Sequence, residues 1–199
     1  KPRLGSAEIL LKVANCGVCG SDVPRIIKDG AHYYPIILGH EFSGVIEEVG
    51  DGLSLDLKGR KPVCAPLMPD FSDPQCAKGN YSLGRNYKFI GSSEPGGFAE
   101  YVAMPVRNAV IVDDPLDLLS ASFLEPLTVA LFAINITAYR PGRKAAVIGA
   151  GGIGLLMPQC LKQLGTQSIS AFDVDDHKLG LARDMGATFC FNSQDEDIF

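Results

Sequence analysis

The chain has no apolar run long enough to cross a membrane. Its most apolar stretch, residues 145–157, is broken repeatedly by glycine and ended by Pro158, whereas a spanning helix needs roughly 20 consecutive apolar residues. Basic excess is also missing: 18 Lys and Arg stand against 23 Asp and Glu, the formal charge is −5, and the two signs are interspersed. No electrostatic footprint for nucleic acid or an anionic membrane is left, so a small-molecule substrate is expected. Cysteine is sparse and scattered, at positions 16, 19, 64, 76, 160 and 190. With no secretory pattern in the opening residues, these read as reduced thiols of a cytoplasmic protein rather than as a disulfide framework. Internal repeats and low-complexity tracts are absent. The 46% hydrophobic and 21% charged content is that of globular material, enough over 199 residues for one large domain or two small ones. The chain stops at Phe199 just after an acidic stretch, and a fragment is expected.

What is present is a mixed set of metal donors. Cys19 lies in Cys19-Gly20-Ser21-Asp22, and Gly39-His40-Glu41 follows after an intervening loop. Either Cys19 or His40 alone would read as a buried thiol or a core histidine. Together, with an Asp three positions after the thiol and a Glu beside the imidazole, they point to a zinc site. Structural zinc sites are usually closed by Cys-rich pairs, whereas a Cys/His/carboxylate set leaves a coordination position for water or substrate.

The first half reads as β-rich. Ile9, Leu11 and Val13 alternate with Glu8, Lys12 and Ala14, the period of a half-buried strand. Ser21 or Asp22 is expected to cap a short helix whose first turn tolerates Pro24. Further strands are expected at Phe42 to Val49, closed by an Asp51-Gly52 turn, and at Val63 to Ala65, Phe98 to Val102 and Val110 to Val112. Residues 66–96 form a long, aperiodic excursion rich in Pro, Asp, Gly and Asn, a length that implies a function or a cross-link. From Leu116 the spacing turns helical, through Leu119, Phe123, Leu127, Leu131 and Ile134. A domain boundary is placed there, giving domains 1–115 and 116–199.

The second half alternates strand and helix. Strands at Ala145 to Ile148, Ser168 to Phe172 and Thr188 to Phe191 are separated by a helix to Leu164 and another at Asp175 to Asp184. Such alternation implies a parallel α/β sheet. Gly149-Ala150-Gly151-Gly152-Ile153-Gly154 fits G-x-G-x-x-G directly between strand and helix. In that context the first glycine permits the turn, the second admits pyrophosphate to the backbone, and the third lets helix and strand close up. Asp173 stands at the end of the next strand, where a ribose-binding acid is required, and Val174 follows it with no arginine to accept a 2'-phosphate. NAD is therefore expected over NADP. The cofactor-binding set is Gly149, Gly151, Gly152, Ile153, Gly154, Asp173 and Lys178. Pro158, inside the helix after this loop, is expected to kink it or to cost about 3 kcal/mol.

In this order the motifs resemble the medium-chain, zinc-dependent alcohol and polyol dehydrogenases, over essentially the whole chain. The resemblance rests on Cys19-Gly-Ser-Asp, Gly39-His40-Glu41, Gly96-Gly97-Phe98-Ala99-Glu100-Tyr101, Glu125-Pro126 and the glycine loop with Asp173. Within the family, Gly30-Ala31-His32-Tyr33-Tyr34-Pro35 and Leu38 to Gly44 are most similar to the galactitol-1-phosphate 5-dehydrogenases, with the L-iditol (sorbitol) dehydrogenases as near neighbours. It implies an α/β fold: an N-terminal β-rich GroES-like domain, then the first half of a Rossmann doubly wound parallel sheet. It further implies one catalytic zinc held by Cys19 and His40, with Glu41 and Glu125 completing or exchanging in its shell, and Asp22 as the partner that orients His40. Without the resemblance, Glu125 reads as a helix-start carboxylate favoured by the helix dipole. The implied reaction is oxidation of a secondary alcohol of a polyol or polyol phosphate with hydride transfer to NAD, Glu41 and Ser21 being catalytic and Ser21 relaying the proton. The family's histidine relay is missing, since Pro24 and Arg25 stand in its place. A phosphorylated substrate would require a cation, and Arg25 and His32, with Tyr33 beside them, are the candidate substrate residues; Lys28 reads as solvated surface charge. At full length a homo-oligomer is expected. The family's second zinc uses four cysteines, where this chain has Asp70, Asp73, Cys76 and Gly84. Two carboxylates and one thiol do not rebuild a tetrathiolate, so no structural zinc is expected. The competing readings are a catalytically silent zinc-binding fragment and a sorbitol/L-iditol-type dehydrogenase acting on an unphosphorylated polyol.

Overall fold

Ile9 and Leu11 have no solvent exposure: the strand that carries them is paired on both edges, and its core face packs them against the neighbouring strands' apolar side chains. The computed structural model describes residues 1–28, 30–31, 33–112 and 115–195. In it β1 (Glu8–Gly17) pairs antiparallel with β2 (Glu41–Val49) on one edge and with β6 (Tyr101–Pro105) on the other. β3 (Pro62–Cys64) and β7 (Ala109–Ile111) extend the sheet in the order β6-β1-β2-β3-β7. Irregularities at Leu10/Leu11 and Val13/Asn15 interrupt the β1–β2 register, and such bulges bend a strand and increase its twist. Ile9, Leu11, Phe42, Ile46, Val102 and Met104 form the core of this curled sheet.

The strands expected at 63–65 and 110–112 each begin one residue earlier. The one expected from Phe98 starts at Tyr101 instead. The residues before it are committed elsewhere: the N–H groups of Gly96, Gly97 and Phe98 donate to the carbonyls of Ile37, Gly39 and Leu38 at 2.8, 2.8 and 2.9 Å. Residues 66–96 are not structureless. β4 (Leu67–Met68) pairs with β5 (Lys88–Phe89), and α2 (Pro74–Ala77) and a 3₁₀ turn (Tyr81–Leu83) lie between them. Buried Asn108 fastens their base by donating to the carbonyls of Ala65 and Leu67 at 2.6 and 2.9 Å.

The helical spacing after residue 116 resolves into two helices, α3 (Leu118–Ser122) and α4 (Leu124–Ile136), separated at Phe123. Asp117 caps α3 by accepting from Ser120 N–H at 2.9 Å. α3 packs on β1, β2 and β3, and the buried Ser43 hydroxyl donates to the Leu118 carbonyl. For that reason the chain divides into units Lys1–Glu125 and Pro126–Phe199, later than the change in periodicity.

In the second unit β8 (Lys144–Ile148), α5 (Gly152–Gln163), β9 (Ser168–Asp173), α6 (Asp176–Asp184) and β10 (Phe189–Asn192) build a parallel sheet in the order β10-β9-β8. Val147, Leu161, Ile169, Ala171 and Ala182 form its core. α5 continues through Pro158, whose ring is fully buried. Among the described residues no helix is long and apolar enough to cross a membrane.

Candidate metal centre and dinucleotide loop

Gly17, the last residue of β1, is the register partner of Glu41, the first of β2. Antiparallel pairing therefore sets Cys19, just beyond one strand, beside His40, just before the other. The ligand atoms of Cys19, His40 and Glu41 all lie within 4.8 Å of one another, with His40 buried and the other two half-buried. A thiol, an imidazole and a carboxylate converge as their spacing implied.

Asp22, in α1 (Asp22–Ile27), has no solvent exposure. Its Oδ2 accepts from Cys19 N–H at 3.1 Å, and its own N–H donates to the Cys19 carbonyl at 3.0 Å. Its Oδ1 faces His40 Nδ1 across 3.7 Å, and neither atom has another partner. That gap exceeds hydrogen-bond length. Two buried polar atoms left facing each other fit a metal-ligating histidine with its orienting carboxylate, because a metal on Nε2 would make Nδ1–H the stronger donor. The donor set and this pair together fit a zinc ion.

The backbone before His40 is fixed by close approach. Gly39 has φ +92°, and a Cβ on Gly91 or Gly96 would overlap its carbonyl oxygen. Phe89 packs edge-on against the His40 ring at 5.5 Å.

Ser21 does not cap α1 through its hydroxyl: its backbone is helical (φ −74°, ψ −19°), and its side chain makes no capping bond. Asp22 does not cap it either, since its carboxylate turns back to Cys19. The Ser21 side chain is exposed, two residues after Cys19 in the chain. Glu125 lies outside the three-donor set but near it: burial first, then the Glu41 charge, pushes its carboxyl up to about 7. Arg25 is half-buried in the last turn of α1 and has no ion-pair partner among the described residues. The Tyr33 hydroxyl donates to the Ser93 carbonyl at 2.8 Å. His32 lies outside the described residues.

Of the positions expected to replace a second zinc site, Asp73, Cys76 and Gly84 lie together. A Cβ on Gly84 would lie 2.5 Å from Cys76 Sγ and 4.0 Å from Asp73 Cγ. Their polar groups are otherwise engaged. Asp73 caps α2, accepting from Gln75 N–H at 2.7 Å and from Arg85 N–H at 3.3 Å, and Asp70 accepts from Ser72 N–H and Oγ–H at 2.9 and 2.7 Å. These contacts hold both carboxyls below their usual range. Cys76 is buried against the Tyr81 carbonyl at 3.8 Å. This donor set does not fit a tetrahedral zinc.

In the second unit Gly149 turns the chain with φ +93°, and a Cβ on Gly154 would overlap its carbonyl oxygen. Above Gly151 and Gly152 a Cβ would meet nothing within 4 Å, and α5 starts without a side-chain cap. A bare helix N-terminus under open space fits a pyrophosphate. Asp173 is tied to this loop: Oδ2 accepts from Ala150 N–H at 2.7 Å, while Oδ1 accepts from Val174 and Asp175 N–H at 2.8 and 3.0 Å. The Ala150 bond foremost holds its carboxyl below the usual range, and the nearby Lys178 charge adds to this. Lys178 Nζ itself stands 3.8 Å from Asp175. The Asp173–Ala150 bond and the seat that Gly17 gives Glu41 were not anticipated; the Gly in Cys16-Gly17-Val18-Cys19 was the available signal for the latter.

The sequence model of the alcohol dehydrogenase GroES-like domain matches residues 5–114. Galactitol 1-phosphate 5-dehydrogenase of Escherichia coli (strain K12) is 45% identical over 188 residues, 94% of this chain and 54% of that protein. The crystal structure of galactitol-1-phosphate dehydrogenase from Escherichia coli superposes with TM-score 0.94 at 43% identity, over 99% of this chain and 57% of that one. A Sinorhizobium meliloti 1021 structure, described as a zinc-binding dehydrogenase bound to NADP, gives TM-score 0.94 at 32% identity, over 99% of this chain and 58% of its own. The chain thus spans about half the length of the relatives it matches. It belongs to the zinc-dependent medium-chain alcohol and polyol dehydrogenase family, with a GroES-like domain followed by a parallel sheet.

Proposed function

We propose that this chain forms the metal-binding and dinucleotide-binding part of an NAD-linked, zinc-dependent dehydrogenase that oxidises a secondary alcohol of a polyol phosphate resembling galactitol 1-phosphate. The convergence of Cys19, His40 and Glu41 within 4.8 Å carries the reading. Zinc bound there supplies Lewis-acid polarisation of the substrate hydroxyl, and bound NAD supplies the hydride acceptor. Cys19 and His40 hold the metal, Glu41 completes the set, and Asp22 orients His40. Glu125, with its carboxyl near neutral range, is placed to exchange into the shell. Exposed Ser21 takes the hydroxyl proton toward solvent, which replaces the missing histidine relay. Asp173 and the bare start of α5 bind the dinucleotide. Arg25 and His32 bind the substrate's phosphate end, with Tyr33 among the substrate residues. Domains of 1–115 and 116–199 remain the proposed division of labour. Six free cysteines fit a reducing, cytoplasmic setting.

Substrate class is tested by Arg25→Ala in the full-length protein. Turnover of galactitol 1-phosphate should fall at least tenfold more than turnover of unphosphorylated galactitol, and equal losses would remove the phosphate-binding role. Because the chain spans about half of its relatives, a silent zinc-binding piece is the second reading. The isolated chain is expected to bind zinc without oxidising galactitol 1-phosphate, and turnover by the isolated chain would exclude that reading.

A further inference from the structure

We infer that Gly17 is a positioning residue for the metal site: its missing side chain is the seat in which the Glu41 carboxylate lies. The inference rests on the zinc-site reading above and assigns a role to a residue outside the donor set.

Gly17 and Glu41 are the last register pair of β1 and β2. Glu41 extends across the strand beside it. A Cβ built on Gly17 would overlap Glu41 Oε2, and would stand 3.1 Å from Glu41 Cβ and 3.4 Å from its Cδ. The whole acid side chain, from Cβ to carboxylate, thus lies over the space that Gly17 leaves empty. Gly17 is not among the residues with positive φ, so its backbone asks nothing of glycine. The requirement is spatial. It also falls on a movable group, because the carboxylate is the far end of a flexible side chain and can swing away while the strands stay paired. A methyl group at 17 would therefore turn the Glu41 carboxylate out of the 4.8 Å donor set, while the 3.1 Å approach to Glu41 Cβ asks the strand ends to part by a few tenths of an ångström.

Cross-strand neighbours in antiparallel sheets ordinarily share their space. Here one partner has surrendered its share at the strand end where the donors collect. Cys19 follows Gly17 by two residues and His40 precedes Glu41 by one, so the seat lies between the thiol-bearing turn and the imidazole.

The test is a double-mutant cycle on zinc affinity. Zinc dissociation constants are measured by chelator competition for the parent chain, Gly17→Ala, Glu41→Ala and the double variant, with the visible spectrum of the cobalt-substituted forms as a second readout. Gly17→Ala should weaken zinc at least tenfold and shift the cobalt bands toward those of Glu41→Ala. In the Glu41→Ala background the same change should have less than a twofold further effect, since the group it displaces is gone. Unchanged affinity in Gly17→Ala, or an equal loss in both backgrounds, would overturn the role of Gly17. A parent chain that binds no zinc would instead overturn the zinc-site reading. If Gly17→Ala fails to fold, recovery of folding in the double variant supports the seat. Failure of both would show that glycine is needed for the spacing of the two strand ends and not as a seat for the carboxylate, and would overturn it.

Discussion

Asp22 has one oxygen satisfied by Cys19 N–H and another facing His40 Nδ1 with no other partner. Its spacing from Cys19 made it visible in sequence; its complete burial and the 3.7 Å gap come only from the fold. Outer carboxylates of this kind are typically worth 10–100-fold in metal affinity. Asp22→Asn is therefore expected to raise the zinc dissociation constant by about that factor, measured by chelator competition, while circular dichroism stays unchanged. Asp173 gives a second residue-scale expectation. Its carboxyl is held below the usual range chiefly by Ala150 N–H, so the folded state binds its proton less readily than the unfolded state. The resulting stability is present above the ordinary aspartate range and is lost as pH falls through the lowered folded value. Urea unfolding between pH 6 and pH 3 should show this acid-side loss, and Asp173→Asn should flatten it.

Elements were legible where one periodicity ruled. The strand–helix alternation after Lys144 matches the structure closely because each parallel strand and its helix are set by local patterns. The 66–96 segment was not legible, since its order comes from single polar contacts rather than repetition. Asn108, distant in sequence, holds the base of this lobe through two carbonyls. Asn108→Ala should cost about 1–3 kcal/mol, the range for removing partners from buried polar groups, as read by urea denaturation. Within the lobe, Asp73 acts as a helix cap. Asp73→Ala should speed proteolysis within residues 70–85, and added zinc should not reverse this. The parent should retain one zinc per chain after exhaustive dialysis; a second tightly held equivalent would refute a metal-free lobe. The break between α3 and α4 at Phe123 was hidden for a different reason: steps of three and four run through it unchanged, and only the packing of α3 on the sheet shows the division.

For the whole molecule, a ligand that binds only the folded state raises stability with the logarithm of its concentration relative to its dissociation constant, by about 2.7 kcal/mol at a hundred times that constant. This turns cofactor preference into a measurement that needs no substrate. The NADP-bound neighbour, at 32% identity and TM-score 0.94, has the same fold over this region, so the fold alone does not decide between the two dinucleotides. The local charge is what supports the proposed preference for NAD. Asp173 is kept ionised by Ala150, Val174 and Asp175 N–H, and a 2'-phosphate placed beside it would add a like charge. Val174 offers no cation, and Lys178 stands closest to Asp175. At neutral pH and equal concentrations, NAD should raise the thermal midpoint of the chain more than NADP does. Replacing the charge by Asp173→Asn should narrow that difference, mainly through better NADP binding. Equal shifts with the two cofactors in the parent chain would mean that the Asp173 carboxylate turns from the ribose site once ligand enters, and its bond to Ala150 would then be a loop latch alone.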